Sequence, residues 1–331
     1  MMVPNVPDFM RVYYAVLSLG AVVVPVHLLL KAEEIAYVLR DAEVDLFVVA
    51  APILGEALPA AAEIDVPVVT VLLPADTSGP AGRLPRLEAE AAASEPIARH
   101  TPTRPTDPAT ILYTSGTTGT PKGAVGSHLA IVEQVHCTLI DSFDLRAEDV
   151  VFGGLPLFHT FGQTAVMNVA LRAGASIILL PRFDADDALA LMVAHGATVF
   201  TAVPTMYVGM LEAARRSETR PPLRYAVSGG AALPVVVLEA FRTAFGADVH
   251  EGYGLTEAAR GPGGARRDRR ARSQPVQRLP RTGGRDGCRH RRRLVPDRRS
   301  RALCRGGAHD RRPQEGHDRP QRLQRVSDRG R

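Results

Sequence analysis

"ILYTSGTTGTPKGAVGSH", Ile111 to His128, is the stretch whose reading decides the fold. An apolar, strand-like triplet leads into four Thr, one Ser, three Gly, one Pro and one Lys, and the sequence then turns apolar again. Glycine lets a ligand touch backbone, hydroxyls and amides donate hydrogen bonds, and one lysine supplies a fixed cation. Such a loop is built to hold phosphate. It is not a Walker loop, because around its lysine it reads G-T-T-G-T-P-K-G and lacks the G-K-[ST] ending. Its composition alone also fits a flexible surface turn.

Around this loop, from residue 8 to residue 257, helix-like and strand-like patterns alternate. "AEEIAYVLRDA" (Ala32 to Ala42) spaces Ile35, Val38 and Leu39 as one helical face. "VDLFVVA" (Val44 to Ala50) and "VPVVTVLL" (Val66 to Leu73) read as buried strands. "SIILL" (Ser176 to Leu180) and "ATVFTAVP" (Ala197 to Pro204) repeat the theme, with "DADDALALMVAHG" as the helix between them. This rhythm predicts an α/β fold of parallel-rich sheets covered by helices. The Pro- and Ala-rich stretch from Thr77 to Ala109 is weakly patterned and reads as a surface connection between two α/β units.

The chain has 331 residues and 45% hydrophobic content, enough for a sizeable core and two domains. The longest apolar run, Ala15 to Leu30, is cut by Pro25 and His27, so no transmembrane segment is expected. No signal peptide is expected either, and Cys137, Cys288 and Cys304 have no disulfide or metal spacing. A cytoplasmic location follows as the expectation. Charge is divided sharply along the chain. Residues 260–331 hold 24 Arg, no Lys and 7 acidic residues, a net +17, while residues 1–259 carry 16 basic and 28 acidic residues, a net −12. The basic segment has no aromatic residue and almost no apolar periodicity, so it is expected to be disordered.

"YTSGTTGTPKGA" resembles, almost residue for residue, the phosphate loop of the adenylate-forming (AMP-binding) superfamily, whose members include acyl-CoA synthetases. Further segments match in the family's order. "LPLFHTFGQT" (Leu155 to Thr164) resembles the segment near the acyl pocket, with His159 at an aromatic-or-His position; a packed histidine beside Phe158 and Phe161 is the equal alternative. "TVFTAVPTMY" (Thr198 to Tyr207), "LRYAVSGGAALP" (Leu223 to Pro234) and "HEGYGLTEA" (His250 to Ala258) follow. The match covers residues 3–258, and its "SHLA" and "LPLFHTFGQ" segments are similar to fatty-acyl-CoA ligases.

The resemblance implies a fold, a reaction and a set of roles. The fold is that of the large N-terminal domain of these enzymes. The reaction is attack of a carboxylate on the α-phosphorus of ATP, followed by transfer of the acyl group to coenzyme A. Charge builds on phosphate oxygens, so positioning and electrostatics dominate the catalysis. Thr114, Ser115, Gly116, Thr117, Thr118, Gly119 and Lys122 would cradle the β/γ-phosphates. Gly229, Gly230 and Ala231 would wall the adenine and acyl carbonyl, with Tyr253 against the adenine and Gly254 beside it. Thr256 would bond the α-phosphate, making it and Lys122 the catalytic pair. Glu257 would hold Mg²⁺, a hard cation suited to carboxylate oxygen; its bland reading is a solvated carboxylate at a helix start. His159 would face the acid, expected to be a fatty acid.

Three segments follow as expectations: residues 1–105 as a partial first α/β subdomain with its connection, 106–259 as the nucleotide-binding subdomain, and 260–331 as the tail. The opening "MMVPNVPDFM" resembles an internal family segment, which implies truncation. The family's "TGD" aspartate, "DRxKD" hinge and lysine-bearing C-terminal domain do not appear. Displaced by one nucleotide, however, codons for Arg293 to Cys304 can spell "GWFRTGDLARYV". Those for Asp310 to Gly330 can spell "IVDRKKDMIVRNGYNVYPTEV". A frame disruption after about residue 260 is therefore expected, and little turnover by the chain as written. A non-catalytic ATP-binding remnant is one alternative. Nucleic-acid binding through the basic tail is a weaker one, since the tail has no aromatics for stacking.

Overall fold

The computed structural model describes residues 1–79, 81–114 and 121–254, without the side chains of residues 140–142. The expected tail, and the expectation that it is disordered, lie outside the described residues.

Helix α1 (Pro7–Ser18) starts on a proline, whose missing N–H costs nothing at a helix start, and buries Phe9, Val12 and Tyr13. Helix α2 (Ala32–Asp41) buries Ile35, Ala36, Val38 and Leu39, the face its spacing predicts. Its entry is held by the Glu34 carboxylate, which accepts the Lys31 N–H at 2.9 Å. Strand β1 (Phe47–Ala50) is shorter than its apolar run suggests. Val44 N–H bonds back to Leu39 carbonyl to close α2, and Glu43 takes a left-handed φ of 51°, so the chain becomes extended only after residue 46. Helix α3 (Leu54–Glu63) returns the chain to β2 (Val68–Val71), which pairs parallel with β1 from Phe47↔Val68 to Ala50↔Val71. Met2 bonds the other edge of β1, donating to Val48 carbonyl and accepting from Ala50 N–H.

The Pro- and Ala-rich connection contains one short helix, α4 (Leu87–Ala93), which buries no residue. Strands β3 (Pro108–Thr114) and β4 (Lys122–Ser127) form an antiparallel pair, an exception to the parallel rule of the sheets around them. The loop between them is too short for a crossover, so the chain can only double back. Helix α5 (His128–His136) begins where the Ser127 hydroxyl accepts the Ala130 N–H. It runs into a π-helical turn, Cys137–Ser142.

The main sheet, among the described residues, has five parallel strands in the order β6-β5-β7-β8-β9. These are β5 (Val150–Gly153), β6 (Ser176–Leu179), β7 (Val199–Ala202), β8 (Tyr225–Gly229) and β9 (Asp248–Gly252). Between β5 and β6 runs helix α6 (Thr160–Gly162), a π-helical turn (Gln163–Asn168) and α7 (Val169–Ala173). The other crossovers carry α8 (Ala185–Ala194), α9 (Pro204–Arg216) and α10 (Val235–Phe245). Phe152, Phe200, Tyr207 and Phe241 are fully buried. Phe200 stacks on Phe152 and Phe241 at 5.6 and 5.5 Å and meets Tyr207 edge-on at 5.1 Å. Burying each such side chain contributes roughly 1.5–3 kcal/mol. Tyr225, on the opposite face of the sheet, stacks on Phe143 at 5.6 Å.

A polar clamp closes the edge where β5, β7 and β8 begin. Asp149, 1% exposed, accepts two bonds from Arg224 (3.0 and 2.7 Å), one from the Thr198 hydroxyl (2.7 Å) and one from Arg146 N–H (2.8 Å). A further core joins the N-terminal residues Met1, Val3, Phe9, Val12 and Tyr13 to Leu157 and Met167.

Candidate nucleotide and acid site

The strand pair β3–β4 ends on Thr114↔Lys122, the two described flanks of the glycine-rich loop. Ser115, Gly116, Thr117, Thr118 and Gly119 lie outside the described residues. Both flanks are tied to α2. The Tyr113 hydroxyl donates to Asp41 Oδ2 at 2.6 Å, and the Tyr37 hydroxyl donates to Pro121 carbonyl at 3.0 Å. The two rings meet edge-on at 6.5 Å. Burial, and then the Asp41 carboxylate, push the Tyr113 hydroxyl well above its ordinary range, so it stays a neutral donor.

The segment after β5 carries His159. The backbone of Gly153, Leu155 and Leu157 is bonded by the side chain of Asn5, from the opposite end of the sequence. His159 caps α6, its Nδ1 accepting the Phe161 N–H at 3.1 Å. His27 is built alike, its Nδ1 accepting the Leu29 N–H at 3.1 Å, and its ring lies 4.5 Å from that of Phe158. Burial lowers the pKa of His159, and the charge of His27 lowers it further. Burial also lowers His27, against the opposing pull of Glu34. With Nδ1 held as an acceptor, each neutral ring carries its proton on Nε2.

The strands β8 and β9 end side by side at Gly229↔Gly252. A Cβ on Gly229 would lie 2.7 Å from Phe161 Cζ and 3.1 Å from Gly252 carbonyl oxygen, so a larger residue there would push the Phe161 ring aside. Gly230 follows at φ +83°, the left-handed region that glycine adopts without strain. The turn is fastened to β9 by Glu251, whose Oε1 accepts the Leu233 N–H at 2.8 Å. Gly230 and Ala231 are exposed on this turn, Tyr253 is 57% exposed, and Gly254 is exposed after it. Thr256 and Glu257 lie outside the described residues.

The structure thus brings together Gly229, the Phe161 that follows His159, and the strand leading to Tyr253. They meet at the carboxyl ends of parallel strands, where open α/β sheets bind ligands. Four supporting residues escaped the reading of the sequence: Asn5, Tyr37, Asp41 and Glu251. Each acts on backbone or on a residue far along the chain, and a lone polar residue gives no local signal of that. No group of three or more His, Cys, Asp or Glu that could hold a metal occurs among the described residues. No helix among them is long and apolar enough to cross a membrane.

Comparison with known proteins agrees with this architecture. The long-chain-fatty-acid–CoA ligase of Bacillus subtilis is 30% identical over 282 residues, covering 78% of this chain and 50% of that protein. MatB from Rhodopseudomonas palustris, solved with ATP bound, is 32% identical with a TM-score of 0.66, covering 77% of this chain and 49% of that one. A benzoate CoA ligase from Burkholderia xenovorans LB400 is 26% identical with a TM-score of 0.68, covering 78% and 50%. The chain spans about half the length of the curated relatives it matches. A family profile described as AMP-binding enzyme matches residues 1–281. With that match over most of its length, the chain belongs to the AMP-binding enzyme family.

Proposed function

We propose that this chain is the nucleotide- and acid-binding part of an ATP-dependent, AMP-forming acid–CoA ligase acting in the cytoplasm. The observation that carries the reading is the meeting of Gly229, Phe161 and Gly252 at the carboxyl edge of the main sheet, which joins three separate motifs. In the reaction, a carboxylate oxygen of the acid attacks the α-phosphorus of ATP. The bond from that phosphorus to the bridging oxygen breaks, and pyrophosphate leaves. The coenzyme A thiol, having given up its proton, then attacks the acyl carbonyl of the adenylate and expels AMP.

Thr114, Ser115, Gly116, Thr117, Thr118, Gly119 and Lys122 are assigned to the β/γ-phosphates. Gly229, Gly230 and Ala231 are assigned to the wall around the adenine and the acyl carbonyl, Tyr253 to the adenine ring face, Gly254 to nucleotide binding, and Thr256 to the α-phosphate. Lys122 and Thr256 stabilise charge as it develops. Glu257 is the residue assigned to Mg²⁺, which would neutralise phosphate charge when bound. His159 is assigned to the acid. A fatty acid is the proposed substrate, supported by long-chain fatty-acid ligases among the relatives. Residues 1–105 and 106–259 are the proposed subdomains and 260–331 the tail.

ATP binding to the intact chain, measured by titration calorimetry, tests the reading. Lys122→Ala removes one charge-assisted contact, roughly 1.5–3 kcal/mol, and is expected to weaken binding about 10- to 100-fold. Equal affinity in the two proteins would overturn the assignment.

A further inference from the structure

Asn5 is 5% exposed, and three of its four hydrogen-bonding positions are used on one short stretch. Its Nδ2 donates to Gly153 carbonyl (3.1 Å) and Leu155 carbonyl (2.7 Å), and its Oδ1 accepts the Leu157 N–H (2.9 Å). The stretch needs such a partner. Strand β5 ends at Gly153, and the next four residues, Gly154 to Leu157, carry no polar side chain of their own. Leu155 and Leu157 are buried, so their backbone groups cannot turn to water and must be bonded within the protein. Two residues later comes His159.

The geometry is specific to an amide. A carboxylate of the same shape could still accept the Leu157 N–H, yet it would face two carbonyl oxygens with no proton to offer. A hydrophobic residue would leave all three groups unpaired. The contact also has a direction. Residues 155–157 have no other polar side-chain contact among the described residues, and Phe158 beyond them rests on His27. The path to His159 is therefore held from the N-terminal segment as well as from the main sheet, whose core takes Leu155.

We infer that Asn5 is a positioning residue of the acid site, holding the loop that presents His159. The inference rests on the proposed placing of His159 at the acid. It goes beyond a role in folding, because all three side-chain bonds of Asn5 go to the last residue of β5 and the segment that leads from it to His159, and the surrounding N-terminal core is apolar.

The test uses the full chain as wild type, Asn5→Asp, Asn5→Ser and Val12→Ala. The last trims the same core without touching the loop. Affinities are measured for ATP and for a decanoyl-sulfamoyl-adenosine, a stable mimic of an acyl-adenylate. The His159 ring proton is followed by NMR through a pH titration, with assignment from His159→Asn. In Asn5→Asp, ATP affinity is expected to stay within twofold and affinity for the acyl mimic to fall at least tenfold. The His159 resonance should move and its titration rise toward an ordinary histidine as the loop loosens. Val12→Ala should change neither. If Asn5→Asp does not fold, Asn5→Ser, which keeps a single hydroxyl, carries the same expectation at smaller amplitude. Unchanged mimic affinity and an unchanged His159 titration in a folded Asn5 variant would overturn the inference. If the wild type binds neither ATP nor the mimic, the site reading fails; the His159 titration then decides by itself whether Asn5 sets that residue.

Discussion

In a protein produced to begin at Met1, the amine of that residue offers a sharp test of the packing around the first strands. Met1 is 7% exposed, and its amine donates to Val24 carbonyl at 2.7 Å. Among the described residues no carboxylate lies within ion-pair reach of it. Burial therefore pushes its pKa down from 8.0 to about 5. At 1.36 kcal/mol per pH unit, that difference amounts to about 4 kcal/mol, a large share of a typical domain's stability. The sign follows from proton uptake. Between about pH 5 and pH 8 the unfolded chain carries the proton and the folded chain does not, so unfolding takes up a proton and stability rises with pH. The rise runs from about pH 5 to pH 8 and flattens on either side. His27 and His159, both lowered, act in the same direction at and below their ordinary 6.5. The interval from pH 7 to 8 thus isolates the amine, and there a gain of about 1 kcal/mol is expected. Urea unfolding at half-unit steps from pH 5.5 to 8.5 measures it, with a His27→Asn, His159→Asn double variant as control. A flat profile between pH 7 and 8, or a slope that vanishes in the double variant, would refute the burial argument.

Two further outcomes are expected. Arg224→Met leaves the buried Asp149 carboxylate with only the Thr198 hydroxyl and the Arg146 N–H, and should cost about 3 kcal/mol, the low end for a broken buried pair because Arg224 is partly exposed. Thermal unfolding reads this as a fall in Tm, and adding Asp149→Asn should recover part of it. In the gene, the codons under Arg293–Arg331 should spell "GWFRTGD" and "DRKKDMIV" one nucleotide downstream; wobble bases under Arg298, Arg299, Gln314 and Glu315 that forbid those codons would make the basic tail a true coding segment.

What the sequence disclosed depended on how local each cause is. The glycine- and hydroxyl-rich loop stands out because its residue types are concentrated in about a dozen positions. The sheet rhythm was legible because parallel strands must be buried on both faces and read as continuous apolar runs. Strand ends were harder. The run from Val44 looks extended, yet the capping bond from Val44 N–H to Leu39 carbonyl holds its first residues to α2. The π-helical turn at Gln163–Asn168 has no marker in "QTAVMN". The Asp149–Arg224 clamp joins residues 75 apart, and each alone looks like a surface charge.

Chain order conceals most about the site itself. The loop that carries His159 leaves the main sheet at Gly153, but its backbone is satisfied by Asn5 and its Phe158 ring by His27. Leu157 and Met167 are buried with Met1, Val3 and Phe9 in one core. The flanks of the glycine-rich loop, Tyr113 and Pro121, are bonded by Asp41 and Tyr37 of α2. So the motifs that resemble chemistry lie from Ile111 onward, while Asn5, His27, Tyr37 and Asp41, which hold their surroundings, lie in the first 41 residues. A motif search finds the former, because catalysis demands particular residue types at fixed spacing. It passes over the latter, because each acts through its place in space, whatever its neighbours in sequence. The backbone around these motifs is held by tertiary contacts, and the N-terminal segment supplies those at Gly153, Leu155, Leu157, Tyr113 and Pro121.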